Sequence, residues 1–267
     1  MKNKNNALIT GATSGIGYEM ALVLAKGGYN LVLASRSEDK LEKIKSKFQQ
    51  DFKIIVNIIA IDLSQPNSAK KMFDKCSSKN LEIDVLVNNA GFAFYDEHVN
   101  IDIGKVEKML QLNVITLSET CALFGAKMKE KRNGYILNVA STGAFGPAPY
   151  TAAYASSKSY VLMFSEAISK ELEDYNVSVT CLSPGLTDTN FFNAASVGNK
   201  GKGMFANKNR MSAKKVAEFG INSLFSRKLS VIPGIMNKIM IFAYRLLPRK
   251  TSANMAKGVV KSALNSK

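Results

Sequence analysis

Three glycines crowd into one short turn, TGATSGIG at residues 10–17, and this turn constrains the fold more than any other feature. An apolar run at 7–10 predicts a buried strand, and residues from Ile16 to Gly27 have the apolar spacing of a helix. A second buried strand is expected at 31–33. This order of elements is typical of a parallel βαβ unit. Free N–H groups at the start of the helix favour an anion, and absent side chains let a diphosphate approach, so the turn predicts a nucleotide site.

Apolar runs of strand length alternate with helical patterns along most of the chain. Further strands are expected at 54–61, 85–87, 135–139, 177–182 and about 229–232, and helices at about 38–50, 67–79, 103–131 and 152–174. Such alternation predicts an α/β fold, a doubly wound parallel sheet of Rossmann type flanked by helices, whose strands end at one ligand-binding edge. We expect one dinucleotide-binding and catalytic domain over 1–232, with a lid at about 186–215, and a basic, amphipathic, helical C-terminal extension over 233–267.

The composition excludes several classes of protein. The sequence contains no run of about 18 uncharged apolar residues, so we expect no membrane-spanning helix. No secretory signal follows MKNKNN. The dispersed Cys76, Cys121 and Cys181 form neither a disulfide framework nor a metal-site spacing, and His98 is the sole histidine. We therefore expect a cytoplasmic protein without a metal.

The charge is distributed unevenly. Residues 1–188 carry 21 basic and 20 acidic side chains, whereas residues 189–267 carry 15 basic side chains and one acidic side chain, Glu218. No zinc-finger spacing, heptad repeat or RNA-binding signature accompanies this excess, so a nucleic-acid partner is not expected. The cationic region could instead attract an anionic substrate.

The basic extension contains an amphipathic helical pattern. One face combines Ile235, Ile239, Phe242 and Leu246, and another combines Lys238, Arg245 and Arg249. Two alternatives stay open at this point. In the first, the helix packs on the domain and closes either the pocket or an oligomer contact. In the second, the helix lies in an anionic membrane surface, and the protein is peripheral at the inner membrane surface.

Four polar residues are candidates for chemistry. Tyr154 and Lys158 stand four apart in a predicted helix and share one face, where an ammonium lowers the pKa of a phenol. This pairing predicts Tyr154 as a proton donor and acceptor. Ser141 follows the strand at 135–139, where its hydroxyl can polarise a carbonyl. Asn113 lies within a helical stretch, although asparagine is a mediocre helix former.

In combination these motifs resemble the short-chain dehydrogenase/reductase family over residues 6 to about 232. The matching features, in family order, are the turn at 10–17, NNAG at 88–91, Asn113, Ser141, Tyr154, Lys158 and Pro184-Gly185. The order of these motifs is similar to that in bacterial carbonyl reductases, hydroxysteroid dehydrogenases and 3-ketoacyl reductases. The chain departs from many members by continuing for 35 residues beyond the last expected strand.

The resemblance implies a role for each residue. Tyr154 exchanges a proton with the substrate oxygen, and Lys158 lowers its pKa and binds the nicotinamide ribose. Ser141 holds the carbonyl, and Asn113 anchors a water that relays protons to Lys158. The residues expected to bind the cofactor are Gly11, Thr13, Ser14, Gly15, Ile16, Gly17, Ser35, Arg36, Asp62, Leu63, Asn89, Ala90, Gly91, Tyr154, Lys158, Pro184, Gly185, Thr187 and Thr189.

The end of the second strand, Ala34-Ser35-Arg36, favours NADP over NAD. No acid stands there to repel a 2′-phosphate, and Arg36 can bind it with its planar guanidinium. We therefore expect an NADP(H)-dependent oxidoreductase acting on a ketone or secondary alcohol, with an apolar substrate such as a hydroxysteroid or a lipid-like carbonyl compound. The alternative is a non-catalytic NADP-binding regulator that senses redox state, although the sequence keeps Ser141, Tyr154 and Lys158.

The last expectation concerns assembly. The helices at 103–131 and 152–174 carry more apolar residues than one sheet face needs. Members of the resembled family commonly pair through the equivalent helices. We expect a homodimer or homotetramer.

Overall fold

The computed structural model describes residues 5–189, 191 and 210–265. Its strands are β1 (Asn6–Thr10), β2 (Asn30–Ser35), β3 (Val56–Ala60), β4 (Val85–Asn88), β5 (Gly134–Val139), β6 (Val177–Leu182), β7 (Thr187–Asp188), β8 (Met211–Ser212) and β9 (Ser230–Val231). Its α-helices are α1 (Gly15–Lys26), α2 (Glu38–Phe52), α3 (Ser68–Ser77), α4 (Ile103–Leu110), α5 (Leu117–Lys131), α6 (Ala152–Leu172), α7 (Ala213–Phe225), α8 (Ile235–Leu246) and α9 (Arg249–Asn265).

Seven strands form one parallel sheet in the order β3-β2-β1-β4-β5-β6-β9. Ile9 in β1 is in register with Leu33 in β2 and Val87 in β4, so β1 lies inside the sheet between β2 and β4, where the strand order reverses. β7 and β8 form a separate parallel pair. The predicted doubly wound α/β fold is confirmed, and its reversal point is where such sheets bind ligands.

The two faces of the sheet bury separate apolar clusters. Because successive residues of a strand point to opposite faces, Ile9 packs with Met20 of α1 and Leu224 of α7, while Leu8 joins the cluster that contains Phe124 of α5. Strands buried on both faces are continuous apolar runs in sequence, which explains why they could be located from composition alone.

Buried side-chain hydrogen bonds join the second face to its helices. Asn88 Nδ2 donates to Asn138 Oδ1 at 2.9 Å, and Thr120 Oγ1 of α5 donates to Asn88 Oδ1 at 2.9 Å. Asn138 Nδ2 donates in turn to Ser165 Oγ of α6 at 3.0 Å. These bonds satisfy polar groups that would be costly to bury alone, and they fix β4 and β5 beneath α5 and α6.

The helix expected at 103–131 contains a π-helical stretch, Gln111–Thr116, between α4 and α5. By length and composition alone, Ile103–Lys131 could cross a membrane. However, 44% of its apolar window is buried within the domain, where Cys121 and Phe124 pack in the second core cluster. It is a core helix of the sheet domain.

The C-terminal extension is helical, as predicted, but it is divided into α8 and α9. The division falls at Leu247 and Pro248, because proline cannot continue a helix. Most of the lid expected at 186–215, namely residues 190 and 192–209, lies outside the described residues. All three cysteines are free and buried.

Candidate active site

The glycine turn lies at the carboxyl end of β1, and its backbone requires glycine. Gly11 has φ +67° and Gly15 has φ +56°, a region that other residues rarely adopt. A Cβ on Gly17 would collide with the carbonyl oxygen of Gly11 and with Asn89 Nδ2. The turn is therefore packed without space for a side chain, as close approach of a diphosphate requires.

Thr10 and Asn89 join this turn to the loop after β4. Thr10 Oγ1 accepts hydrogen bonds from the N–H groups of Asn89 and Ala90, each at 3.0 Å. Asn89 Nδ2 donates back to the carbonyl oxygen of Thr10 at 3.0 Å. The turn and the loop Asn89-Ala90-Gly91 thus form one rigid unit at the reversal point.

The start of α1 is suited to an anion. Its N-cap, Ser14, makes no side-chain capping bond within the described chain, so the first N–H groups of the helix have no competing side-chain acceptor. Ile16 is half-buried behind the turn. Thr13 Oγ1 and Ser35 Oγ are 3.0 Å apart, which places a hydroxyl pair between the turn and the end of β2.

Asp62 and Arg36 lie near one another beyond the ends of β3 and β2. Burial raises the pKa of Asp62, but hydrogen bonds from Ser64 and Gln65 and the charge of Arg36 lower it more, so the net shift is downward. Ser64 N–H and Oγ–H both donate to Asp62 Oδ1, at 3.0 and 2.7 Å. Leu63 beside it is buried. The site therefore combines an ionised carboxylate, a guanidinium and an apolar side chain where the resemblance places adenosine.

Lys158 and Ser141 bracket Tyr154 at the end of β5. Lys158 is 4% exposed, and its Nζ donates to the carbonyl oxygen of Val139 at 2.8 Å. That Nζ is 5.9 Å from the centre of the Tyr154 ring. Ser141 Oγ accepts from Gly143 N–H at 3.1 Å, and Ser141 also hydrogen-bonds the Tyr154 side chain. The structure thus brings the three predicted residues together.

The net pKa shift of Tyr154 is opposite in direction to the predicted lowering. Burial raises the pKa of Tyr154 to about 12, and only the hydrogen bond with Ser141 opposes this shift. Burial also lowers the pKa of Lys158 to about 8. The cost of burying the phenolate therefore exceeds the interactions that favour it, so the net pKa shift of Tyr154 is upward.

Asn113 lies in the π-helical stretch and is fully buried. Its Oδ1 accepts from Phe92 N–H at 3.3 Å, while its Nδ2 donates to Phe92 O at 3.0 Å and to Ser157 Oγ at 3.2 Å. A Cβ on Gly91 would lie 3.0 Å from Asn113 Oδ1 and 3.4 Å from Lys158 Nζ. Asn113 therefore packs against the loop after β4 and beside Lys158. π-helical turns are frequent at functional sites, and the water relay stays a prediction.

The loop after β6 crosses the start of α1. The carbonyl oxygen of Pro184 accepts from Thr142 N–H at 2.9 Å, and Thr187 Oγ1 donates to Gly185 O at 3.0 Å. The Thr189 methyl group would be 3.0 Å from a Cβ on Gly15. All four predicted residues of this loop therefore lie within one folded segment that faces the glycine turn.

Two residues near the site, Tyr95 and Asn237, were not predicted, whereas a third, Phe191, lies in the predicted lid. Tyr95 lies close enough to Tyr154 to interact with it electrostatically, and burial raises the pKa of Tyr95 well above its usual value. The ring of Phe191 lies 5.9 Å from that of Tyr154. Asn237 of α8 packs on Gly185, where an added Cβ would lie 2.6 Å from Asn237 Nδ2. The aromatic run FAFY after NNAG was a usable signal for Tyr95, whereas Asn237 had none.

A family model described as short chain dehydrogenase matches residues 5–226. The chain therefore belongs to the short chain dehydrogenase family.

Three known proteins show how far the similarity extends. The very-long-chain 3-oxoacyl-CoA reductase of Homo sapiens is 32% identical over 182 residues, which are 67% of this chain and 58% of that protein. The match thus spans less than two thirds of that relative. A 7β-hydroxysteroid dehydrogenase structure superposes with TM-score 0.84 at 23% identity, covering 94% of this chain and 96% of that chain. The L-sorbose reductase of Gluconobacter frateurii, complexed with NADPH and L-sorbose, has TM-score 0.75 and 25% identity and covers 86% of this chain and 94% of that chain.

Proposed function

We propose that this protein is an NADP(H)-dependent oxidoreductase that interconverts a ketone and a secondary alcohol. The observation that carries this proposal is the Tyr154 hydroxyl, which is hydrogen-bonded by Ser141 and stands one helical turn from the buried amine of Lys158. These three side chains lie at the same edge of the sheet as the glycine turn, which is packed too tightly for any side chain. When bound, the nicotinamide supplies or accepts the hydride at the substrate carbon.

The side chains account for the accompanying proton. With a pKa of about 12, the Tyr154 phenol is protonated at neutral pH and can donate to the oxygen of a carbonyl undergoing reduction. With a pKa of about 8, Lys158 is mostly charged at pH 7, so its ammonium can stabilise the phenolate left by that transfer. Ser141 orients the carbonyl oxygen. Oxidation of an alcohol reverses these steps.

The end of β2 supports a preference for NADP. Ser35 and Arg36 stand where an NAD-binding site commonly places an acid, and the charge of Arg36 already acts on the neighbouring Asp62. An arginine there can form charge-assisted hydrogen bonds with a 2′-phosphate. The L-sorbose reductase, which is 25% identical, is complexed with NADPH.

The surroundings of Tyr154 favour an apolar substrate, such as a hydroxysteroid or a lipid-like carbonyl compound. Tyr95 and Phe191 are close to the Tyr154 ring, and the rings of Phe92 and Phe94 lie 5.5 Å apart in the loop after β4. Apolar walls with few polar groups are typical of small-molecule sites. The human relative is by name a very-long-chain 3-oxoacyl-CoA reductase, and the basic excess of residues 189–267 would favour an anionic thioester.

The test is turnover by the purified protein with NADPH and a panel of ketosteroids, 3-ketoacyl thioesters and simple ketones. Tyr154→Phe keeps the ring but removes the transferable proton, so turnover should fall by about 10²–10⁴ while NADPH affinity is kept. Tyr160→Phe is the matched control, because Tyr160 is on the same helix but its hydroxyl bonds to Ser118 at 3.0 Å. Wild-type turnover in Tyr154→Phe would contradict the mechanism. NADPH binding without turnover of any substrate would favour a regulator.

A further inference from the structure

Helix α8 exposes a continuous apolar surface. The exposed fractions are 68% for Ile235, 54% for Ile239, 64% for Phe242 and 71% for Leu246, and Ile241 is the buried residue of this helix. We call Ile235, Ile239, Phe242 and Leu246 the α8 apolar face. Single exposed apolar residues are ordinary, but a continuous row of them marks an interaction site.

The opposite face of α8 fixes its orientation on the domain. Asn237 Nδ2 donates to Pro233 O at 2.7 Å, and Asn237 also packs on Gly185. A Cβ on Gly146 would lie 3.9 Å from the Tyr244 ring, and the guanidinium of Arg245 is 5.8 Å from the centre of the Phe145 ring. Packing of α8 on the domain therefore does not bury the α8 apolar face. The two alternatives left open by the sequence are compatible with each other.

The charged side chains of α8 and α9 are all of one sign. The sequence contains no acidic residue after Glu218, whereas exposed cationic side chains stand within and beyond α8. They are Lys238, Arg245, Arg249, Lys250, Lys257 and Lys261. A second copy would bring the same cations against these and repel them. An apolar row on helices that carry only cationic charges complements an anionic bilayer, into which the row inserts while the cations meet the headgroups.

We propose that the α8 apolar face docks this protein on an anionic lipid bilayer. The same helix contacts Gly185, which follows β6, and the turn Thr142–Phe145, which follows Ser141. Docking would therefore place the mouth of the active site beside the bilayer, where a lipid-like substrate is concentrated. That consequence rests on the proposed function, whereas the docking itself does not.

Co-sedimentation with vesicles tests the docking without any substrate. Full-length protein should bind vesicles that contain phosphatidylglycerol, bind phosphatidylcholine vesicles much more weakly, and dissociate as salt screens the charges. Ile239→Glu with Phe242→Glu should reduce binding by tenfold or more. Ile55→Glu is the matched control, because Ile55 is 62% exposed and immediately precedes β3, the edge strand at the opposite end of the sheet from β9. Circular dichroism and thermal unfolding verify that each variant is folded.

A second pair of variants tests the charges. Arg249→Gln with Lys250→Gln should weaken binding by about 25-fold at low salt, at roughly fivefold for each cation. Lys43→Gln with Lys47→Gln, two exposed lysines of α2, should leave binding unchanged. The proposal is overturned if wild-type protein stays in the supernatant with anionic vesicles at low salt. It is equally overturned if Ile239→Glu with Phe242→Glu dissociates an oligomer without affecting sedimentation with vesicles, because a second copy would then occupy the face. The vesicle assays contain no substrate, so their outcomes can be interpreted even if the turnover assay fails.

Discussion

Lys158→Met should make the stability of this protein less dependent on pH. Lys158 is buried, and its pKa falls from 10.5 to about 8 in the native state. At about 1.4 kcal/mol for each pH unit between those values, the charged amine costs the native state about 3 kcal/mol at pH 7. This cost is fully present below pH 8. It is relieved as pH rises toward 10.5, because the unfolded chain then binds more protons than the native protein.

Urea unfolding of wild type and Lys158→Met at pH 7 and pH 9.5 measures this effect. The free energy of unfolding of the wild type should rise relative to the variant by about 2 kcal/mol between these pH values. The comparison across pH isolates the charge, since loss of the bond to Val139 and changes in packing contribute equally at both. Lys43→Met, at an exposed position on α2, should show no such change. An equal difference between wild type and Lys158→Met at pH 7 and pH 9.5 would refute the assigned burial cost.

Two further predictions concern the cofactor and the assembly. Arg36→Ala should lower the ratio of kcat/KM for NADPH to that for NADH by about tenfold or more, since charge-assisted hydrogen bonds contribute about 1.5–3 kcal/mol. An unchanged ratio, with Lys40→Ala as the surface control, would contradict the role of Arg36. The native protein should sediment as a dimer or tetramer at micromolar concentration, and Met163→Glu should dissociate it, because Met163 is 69% exposed on α6. A wild-type monomer would contradict the expected assembly.

The strands and the cluster of site residues could be predicted because both are encoded locally. β2, for example, is a run of apolar residues buried on both faces, and its length and composition are sufficient to locate it. The glycine turn and the spacing of Tyr154 and Lys158 are likewise short-range patterns. Since parallel strands end at one edge, local prediction of each strand also brought Ser141 near Tyr154.

The features that were missed depend on contacts between distant segments. Asn237 meets Gly185 only because α8 folds back over the loop after β6, and no spacing in the sequence encodes this contact. The direction of the pKa shift of Tyr154 depends on how deeply its hydroxyl is buried, a property of the assembled site.

The break at Pro248 did have a local signal, because proline ends helices. The amphipathic pattern on either side of it obscured that signal.

The position of β1 between β2 and β4 has a consequence for synthesis of the chain on the ribosome. One edge of β1 is covered early by β2, but its other edge pairs with β4, whose first residue is Val85. At about 5–20 residues per second, that edge stays open for several seconds of translation. Each later strand of the large sheet adds to an edge already formed, in the order β5, β6 and β9. Because an unpaired apolar edge can recruit other chains, we expect the nascent chain to be most prone to aggregation in the interval before Val85 emerges.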